Sequence, residues 1–513
     1  MTDTVTALRS GFPGFGEDVP LDLSTVTAGA EQAIIARLVD HTFDAFAETA
    51  AAVGNCSHPV RLVGHTDTID PQTGEILSSF SSADTPLGVL YRPCGNRRAD
   101  VCPACSRVYA RDTFAMIKAG LSGGKTIPAT VAENPLLFVT LTAPSFGPVH
   151  GPRAKNGQKA GGRCRPRDRT RLCPHGRPVG CMTVHGKHDP HNGAPLCPDC
   201  YQWESAIIWQ WWAPELWRRT TTAIRRSIGV RLGLAEHQLR QICRVEFAKV
   251  AEYQDRGQVH FHALIRLDGP DGPGSPAPLD GQQLAESVRG AAVGMIMEAP
   301  AVDDRDQMRI ITWGRQLDVR MVRDGNRTDD PDGPLTPEQV AGYLAKYATK
   351  DANSIRPTTR PPAHLARLET TARDLGRRAA RADLASPYRL LGKWAHMLGF
   401  RGHFSTKSRR YSITFGRLRR ARHRYQQLVA HAARGGEPVD PGRLADQLLA
   451  DDTETTLITG SWHYQGTGWT NPGDEALATA AAARAREYAV WKASKFNKLQ
   501  DQQSMIKFGE AKE

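Results

Sequence analysis

The sequence predicts an α+β protein. An antiparallel-sheet core with flanking helices is expected, with a Cys-rich zinc-binding segment inserted before and around the first core strand, and helical N- and C-terminal regions. Three observations lead there. Residues 244–268 read as two apolar strands joined by an Asp255-Arg-Gly257 turn. The run Leu136-Leu-Phe138-Val-Thr140-Leu-Thr142 is apolar and β-branched, as a buried strand is. Eight cysteines between positions 94 and 200 surround that run with metal-ligand spacing.

Taken in order, residues 1–90 form an N-terminal region expected to be helical, with Ala-rich segments such as 30–52. Residues 91–205 hold the cysteines and the strand at 136–142. A core over 206–355 opens with a helix at 203–233, whose five tryptophans are assigned to packing rather than base stacking. The hairpin at 244–268 follows, then a strand pair over 310–322. The next helix has a well-marked start: Thr336 at the N-cap, Pro337 in the first turn and Gln339 where a capping box wants Glu or Gln. It is expected to run to about residue 352. A basic helical region spans 356–430, and a C-terminal helical region spans 431–513, with a last helix at 475–500.

The 513 residues carry a net charge of +12 and a pI near 9.3, which favours a polyanionic partner such as nucleic acid. The charge is concentrated. Residues 401–425 hold nine Arg or Lys and no acid, and residues 153–177 hold nine with one acid, Asp168. Lys407, Arg409, Arg410, Arg417, Arg419 and Arg420 are the candidate phosphate contacts. No stretch approaches the roughly 18 apolar residues a membrane span needs. The N-terminus lacks a secretory pattern, so a cytoplasmic protein without a membrane partner is expected. Gly120-Leu-Ser-Gly-Gly-Lys125-Thr126 lacks Walker spacing, because Ala119 stands where a glycine is required. The chain therefore carries no ATPase motif.

In a reducing compartment, ten cysteines point to metal rather than disulfides. Cys102-Pro-Ala-Cys105 and Cys197-Pro-Asp-Cys200 are knuckles that aim two thiolates at one tetrahedral ion. One or two structural Zn²⁺ ions are expected. One reading joins Cys173, Cys181, Cys197 and Cys200. Cys94, Cys102 and Cys105 then form a second site, completed by Cys164 or a histidine. His175, His185, His188 and His191 are spare ligands in a polar loop. Cys56 and Cys243 stand apart and read as small buried apolar residues.

The chemistry rests on two short stretches. On a strand, His260 and His262 project to one face while Phe261 turns to the other. Glu252, across the turn, can face the same side. Two imidazoles and a carboxylate make a three-ligand site with open positions, suited to Mg²⁺ or Mn²⁺ polarising a phosphodiester. Glu246 is a weaker third ligand, farther from the turn. On a helix, Tyr343 and Tyr347 lie one turn apart, with Lys346 and Lys350 three residues after each. A tyrosine nucleophile stores the energy of the cut bond in a phosphotyrosine and leaves a free 3′-hydroxyl. The bland alternative, two packed tyrosines beside solvated lysines, leaves the histidine strand unused.

His260-Phe261-His262, Tyr343-x-x-Lys346 and Tyr347-x-x-Lys350 resemble the motifs of the HUH endonuclease superfamily, and Phe138-Val-Thr140-Leu-Thr142 looks like its first motif. The paired tyrosines resemble the gene A proteins of small phages. Four stretches, residues 138–150, 259–262, 342–350 and 394–407, are similar to replication initiators of actinobacterial rolling-circle plasmids and integrative elements. The resemblance covers roughly residues 90–425. It implies a sheet carrying the histidines, a helix presenting the tyrosines, and site-specific nicking of one strand at a replication origin. Host helicase and polymerase would then do the rest. Two rivals stand beside it: a two-tyrosine transposase or mobilisation relaxase, and a zinc-dependent DNA-binding regulator without catalysis.

Overall fold

The computed structural model describes residues 26–155, 158–167, 169, 171–322, 337–348, 361–433, 435, 439–450, 457–488 and 491. The chain is α+β with antiparallel sheets. It opens with helices α1 (Ala28–Val39) and α2 (Phe43–Ala52), strands β1 (Val60–Ile69), β2 (Ile76–Ser81) and β3 (Leu90–Arg92), and helix α3 (Pro103–Ser122). Strand β4 (Leu136–Leu141) and the short ribbon β5 (Arg153–Lys155) and β6 (Gln158–Gly162) follow. Next come α4 (Trp203–Leu232), α5 (Glu236–Ile242), β7 (Arg244–Tyr253), β8 (Val259–Asp268) and α6 (Gly281–Val293). Strands β9 (Ile296–Ala299), β10 (Arg309–Thr312) and β11 (Leu317–Met321) precede α7 (Pro337–Ala348) and α8 (Ala363–Ala382). The last named elements are β12 (Ser405–Lys407), α9 (Phe415–Ala433), α10 (Pro441–Leu449) and β13 (Leu457–Thr467). Residues 472–488 are helical. Among the described residues, no helix is long and apolar enough to cross a membrane.

Two compact units form. One joins Met1–Arg111 to Ala450–Glu513, and the other is Asp112–Leu449. In the first, β13 pairs antiparallel with β1 along its whole length, and β2 and β3 also pair with β1. These strands correct the expectation that both terminal regions are helical. β2 and β13 are mostly exposed and β1 is mostly half-buried, so they show no burial alternation for a sequence reading to find. The core beside them is aromatic: Trp469 stacks on Tyr91 at 4.8 Å and meets Phe46 edge-on at 5.1 Å.

The second unit is built on a five-stranded antiparallel sheet in the order β11-β4-β8-β7-β12. β7 and β8 pair through all ten positions, Arg244 opposite Asp268 and Tyr253 opposite Val259, as the hairpin pattern predicts. β8 sits centrally and is buried at nearly every position. β10 and β11 do not pair with each other, contrary to expectation: β10 joins β9, and β11 joins β4. Phe261 turns away from the histidines and packs edge-on against Trp217 and Trp313. Trp209 and Trp211 of α4 are fully buried, which makes the tryptophan cluster core. α4 ends at Gly233, whose φ of +67° suits a glycine stop.

Lys249 lies in this core. Its ammonium sits 4.4 Å above the Phe261 ring and donates to the His403 carbonyl at 2.9 Å. Burial pushes its pKa down to about 7. An unfolded lysine keeps its proton to about pH 10.4. The charging penalty is therefore full below pH 7 and fades as pH rises towards 10. The ring contact returns only about 2 kcal/mol. Lys249→Met is thus expected to stabilise the protein at pH 7 by about 1–4 kcal/mol, the scale seen when buried charge gives way to apolar volume. Thermal melts at pH 7 and pH 10 check this, and a gain that grows with pH would contradict it.

Candidate active site

The β7–β8 register sets Glu252 opposite His260 and Val250 opposite His262. β4 lies on the other side of β8, with Thr140 opposite His262. Glu252, His260 and His262 therefore share one face, and their ligand atoms lie within 4.8 Å of one another. Glu252 Oε2 is 3.0 Å from His260 Nε2 and 3.4 Å from His262 Nε2. His262 Nδ1 lies 3.1 Å from Thr140 Oγ1. When Nδ1–H donates to that oxygen, the Nε2 lone pair is left to face the site. The Phe138 ring stacks on His262 at 5.6 Å and fixes its plane. Burial pushes the His262 pKa down, against the opposing pull of Glu252, so the neutral imidazole that metal ligation needs is favoured.

Helix α7 brings Tyr343 to this face. Its hydroxyl is 3.3 Å from His262 Nε2, and its ring meets His262 at 5.1 Å and Phe138 at 6.0 Å, both edge-on. Lys346 lies on the same helix and is exposed. Tyr347 is one helical turn beyond Tyr343 by backbone position. Lys350 and the Thr336 cap lie outside the described residues, and α7 is described to Ala348. Glu246 is not part of the group. It sits opposite Arg266, accepts from the Ser408 hydroxyl, and burial pushes its carboxyl pKa up.

The cysteines gather into three groups, each able to hold a metal ion such as zinc. Cys94, Cys102 and Cys105 are completed by Cys56, not by Cys164 or a histidine. Cys56 leaves the end of α2, and its Sγ is 3.7 Å from that of Cys102 and accepts from the Cys94 amide at 3.3 Å. Cys173, Cys197 and Cys200 take His175 as fourth member in place of Cys181, with His175 Nδ1 3.2 Å from Cys200 Sγ. Cys164 and Cys181 join His150 and His185. The reading of Cys56 as an inert apolar residue is thereby corrected. Cys243 is buried in the main core, and burial pushes its thiol up to about 11. His175 and His185 were among the expected spare ligands, two residues after Cys173 and four after Cys181, whereas His150 was not.

Of the expected phosphate contacts, Arg409, Arg410, Arg419 and Arg420 are exposed. Arg417 is half-buried and donates to the Leu449 carbonyl at 2.9 Å. Lys407 departs from expectation. Its ammonium donates to the carbonyls of Ser408, Arg409 and Ser412 at 2.8–3.2 Å, and burial pushes its pKa down to about 8. It pins a turn instead of facing solvent.

The family described as replication initiator protein, pSAM2 (RepSA), matches residues 42–483. A replication initiator protein from Streptomyces ambofaciens is 41% identical over 442 residues, covering 84% of this chain and 87% of that protein. No solved structure matches the chain.

Proposed function

The chain belongs to the RepSA replication initiator family, and from that premise we propose that it starts rolling-circle replication by nicking one DNA strand at an origin. The observation that carries the reading is the convergence of Glu252, His260 and His262 beside the Tyr343 hydroxyl. The two imidazoles and one carboxylate fit a divalent ion, and nitrogen donors favour Mn²⁺ over Mg²⁺. Such an ion, held by Glu252, His260 and His262, supplies Lewis-acid polarisation of the scissile phosphate.

The chain's own groups do the rest. Thr140 and Phe138 hold the His262 ring in place. The Tyr343 hydroxyl oxygen attacks phosphorus and forms the Tyr–O–P bond to the 5′ end. The bond to the 3′ oxygen breaks, and that oxygen takes up a proton as the tyrosine's is lost. The free 3′-hydroxyl then primes synthesis by the host polymerase behind a host helicase. Lys346 and Lys350 offer positive charge to the phosphate, and Tyr347 is placed in sequence to make a second cut after one round. Arg409, Arg410, Arg419 and Arg420 suit backbone phosphates.

A cleavage assay on single-stranded DNA spanning the element's own origin tests this, with Mn²⁺ or with EDTA. A covalent protein–DNA band is expected on a denaturing gel, present with Mn²⁺, absent with EDTA and mapping to Tyr343 or Tyr347. Tight binding with no band on any strand would favour the non-catalytic regulator.

A further inference from the structure

We infer that the stretch from His150 to Cys200 is a cross-braced module binding two zinc-class ions, and that it clamps the β7–β8 turn. One ion takes His150, Cys164, Cys181 and His185; the other takes Cys173, His175, Cys197 and Cys200. In chain order the ligands fall into four pairs. The first and third pairs make one site, and the second and fourth make the other. Each ion therefore ties together segments that flank a ligand pair of its neighbour.

The stretch needs such ties. Its regular structure is the β5–β6 ribbon and isolated bridges such as Arg165 with Cys181 and Leu172 with Pro178. Leu172, Met182 and Val184 are exposed, so these side chains build no core. A loop this long, with so little regular structure, is not held by its own packing. The donor sets, two thiols with two imidazoles and three thiols with one, are those of structural zinc. His185 has a fitting outer partner. Its Nε2 lies 3.1 Å from His150 Nδ1 and 3.4 Å from Cys181 Sγ, while its Nδ1 is 2.8 Å from Asp189 Oδ2. A carboxylate behind a ligating imidazole fixes the ring and its tautomer.

The module lies directly on the hairpin turn. Gly193 has a φ of +82°, and a Cβ there would come within 2.1 Å of the Asp255 carbonyl oxygen. Its amide donates to the His150 carbonyl, which links the contact to a ligand. Tyr201, next after Cys200, is buried and donates to Gln258 Oε1 at 3.1 Å. Arg256 donates to the carbonyls of Ala143 and Pro144, where the chain leaves β4 for the module. Glu252 and His260 are the ladder pair three residues either side of this turn, so a loosened turn frays the ladder at their end first. That this fraying governs cleavage rests on the nickase reading; the two ions and the clamp do not.

Cadmium-113 NMR of the full chain, with zinc exchanged for cadmium, tests the pairing. Three sulfur-ligated signals are expected, of four-, three- and two-thiolate type, the first from Cys56, Cys94, Cys102 and Cys105. Two four-thiolate signals would overturn it, since they require Cys173, Cys181, Cys197 and Cys200 to share an ion. Cys181→His and Cys200→His each keep the ligand number. Each should move a different signal, and both moving the same one also overturns the crossed pairing. Gly193→Ala tests the clamp. It should keep all three signals yet speed amide exchange at residues 254–259 roughly tenfold or more, as a locally loosened turn does. Unchanged exchange there would remove the clamp. Neither readout involves DNA, so a failed cleavage assay leaves this inference standing and the reverse also holds.

Discussion

Changing Tyr343 and Tyr347 together to Phe should abolish the covalent DNA adduct and leave DNA binding intact. Losing a covalent nucleophile costs on the order of 10⁶ in turnover in enzymes whose groups act as a unit. The substitution removes only the hydroxyls. At Tyr343 the ring contacts with His262 and Phe138 survive, so helix α7 keeps its seat against the sheet. The Tyr343 hydroxyl stands 3.3 Å from His262 Nε2, so Tyr343→Phe alone should lose most of the first cut. Trapped adduct on a denaturing gel measures cleavage, and a filter or gel-shift assay measures binding. Adduct formed by the double variant at the wild-type rate would sink the tyrosine assignment.

The second large effect concerns stability. Arg266 and Asp268 are essentially without solvent exposure and pair through two hydrogen bonds at 2.8–2.9 Å. Arg266 also donates to the carbonyls of Gly120 and Tyr411, and Asp268 accepts from Asn134 at 2.7 Å. The pair joins the end of β8 to α3 and to the segment after β12. Asp268→Ala leaves a guanidinium buried without its counter-charge, which costs about 3–5 kcal/mol. Replacing both residues, as Arg266→Met with Asp268→Leu, should recover most of that loss, because a buried pair and apolar volume are often equivalent. Denaturant melts of the two variants check this. A single variant as stable as wild type would mean that water reaches Arg266.

The parts of this fold legible in the sequence share a local cause. β4, the β7–β8 hairpin and α4 carry long apolar runs with caps or turns in the right places, so each could be read alone. Glu252, His260 and His262 were legible together because a two-stranded hairpin fixes its own register across the turn. Cys56 was not, because it lies 38 residues from Cys94 and no knuckle points to it. The pairing of β3 with the start of β1, just after Cys56, brings the two together. His175 and His185 were among the candidates, but His150, fourteen residues before Cys164, was not, because no cysteine lies near it in sequence. β10 and β11 were found as strands but mispaired, since adjacency in sequence favours a hairpin and the sheet chose otherwise. β13 was missed because its partner β1 comes from the opposite end of the chain.

That last pairing affects how the protein is made. Ile69 pairs with Leu457, so the ribosome must add about 390 residues before β1 meets β13. At about 5–20 residues per second this takes roughly 20–80 s. The unit Asp112–Leu449 is synthesised just ahead of β13. Meanwhile β1 waits with one edge open, and an open strand edge invites pairing with other nascent chains. Slow translation of residues 450–467, or a premature stop within them, would therefore harm the yield of folded protein more than the second unit.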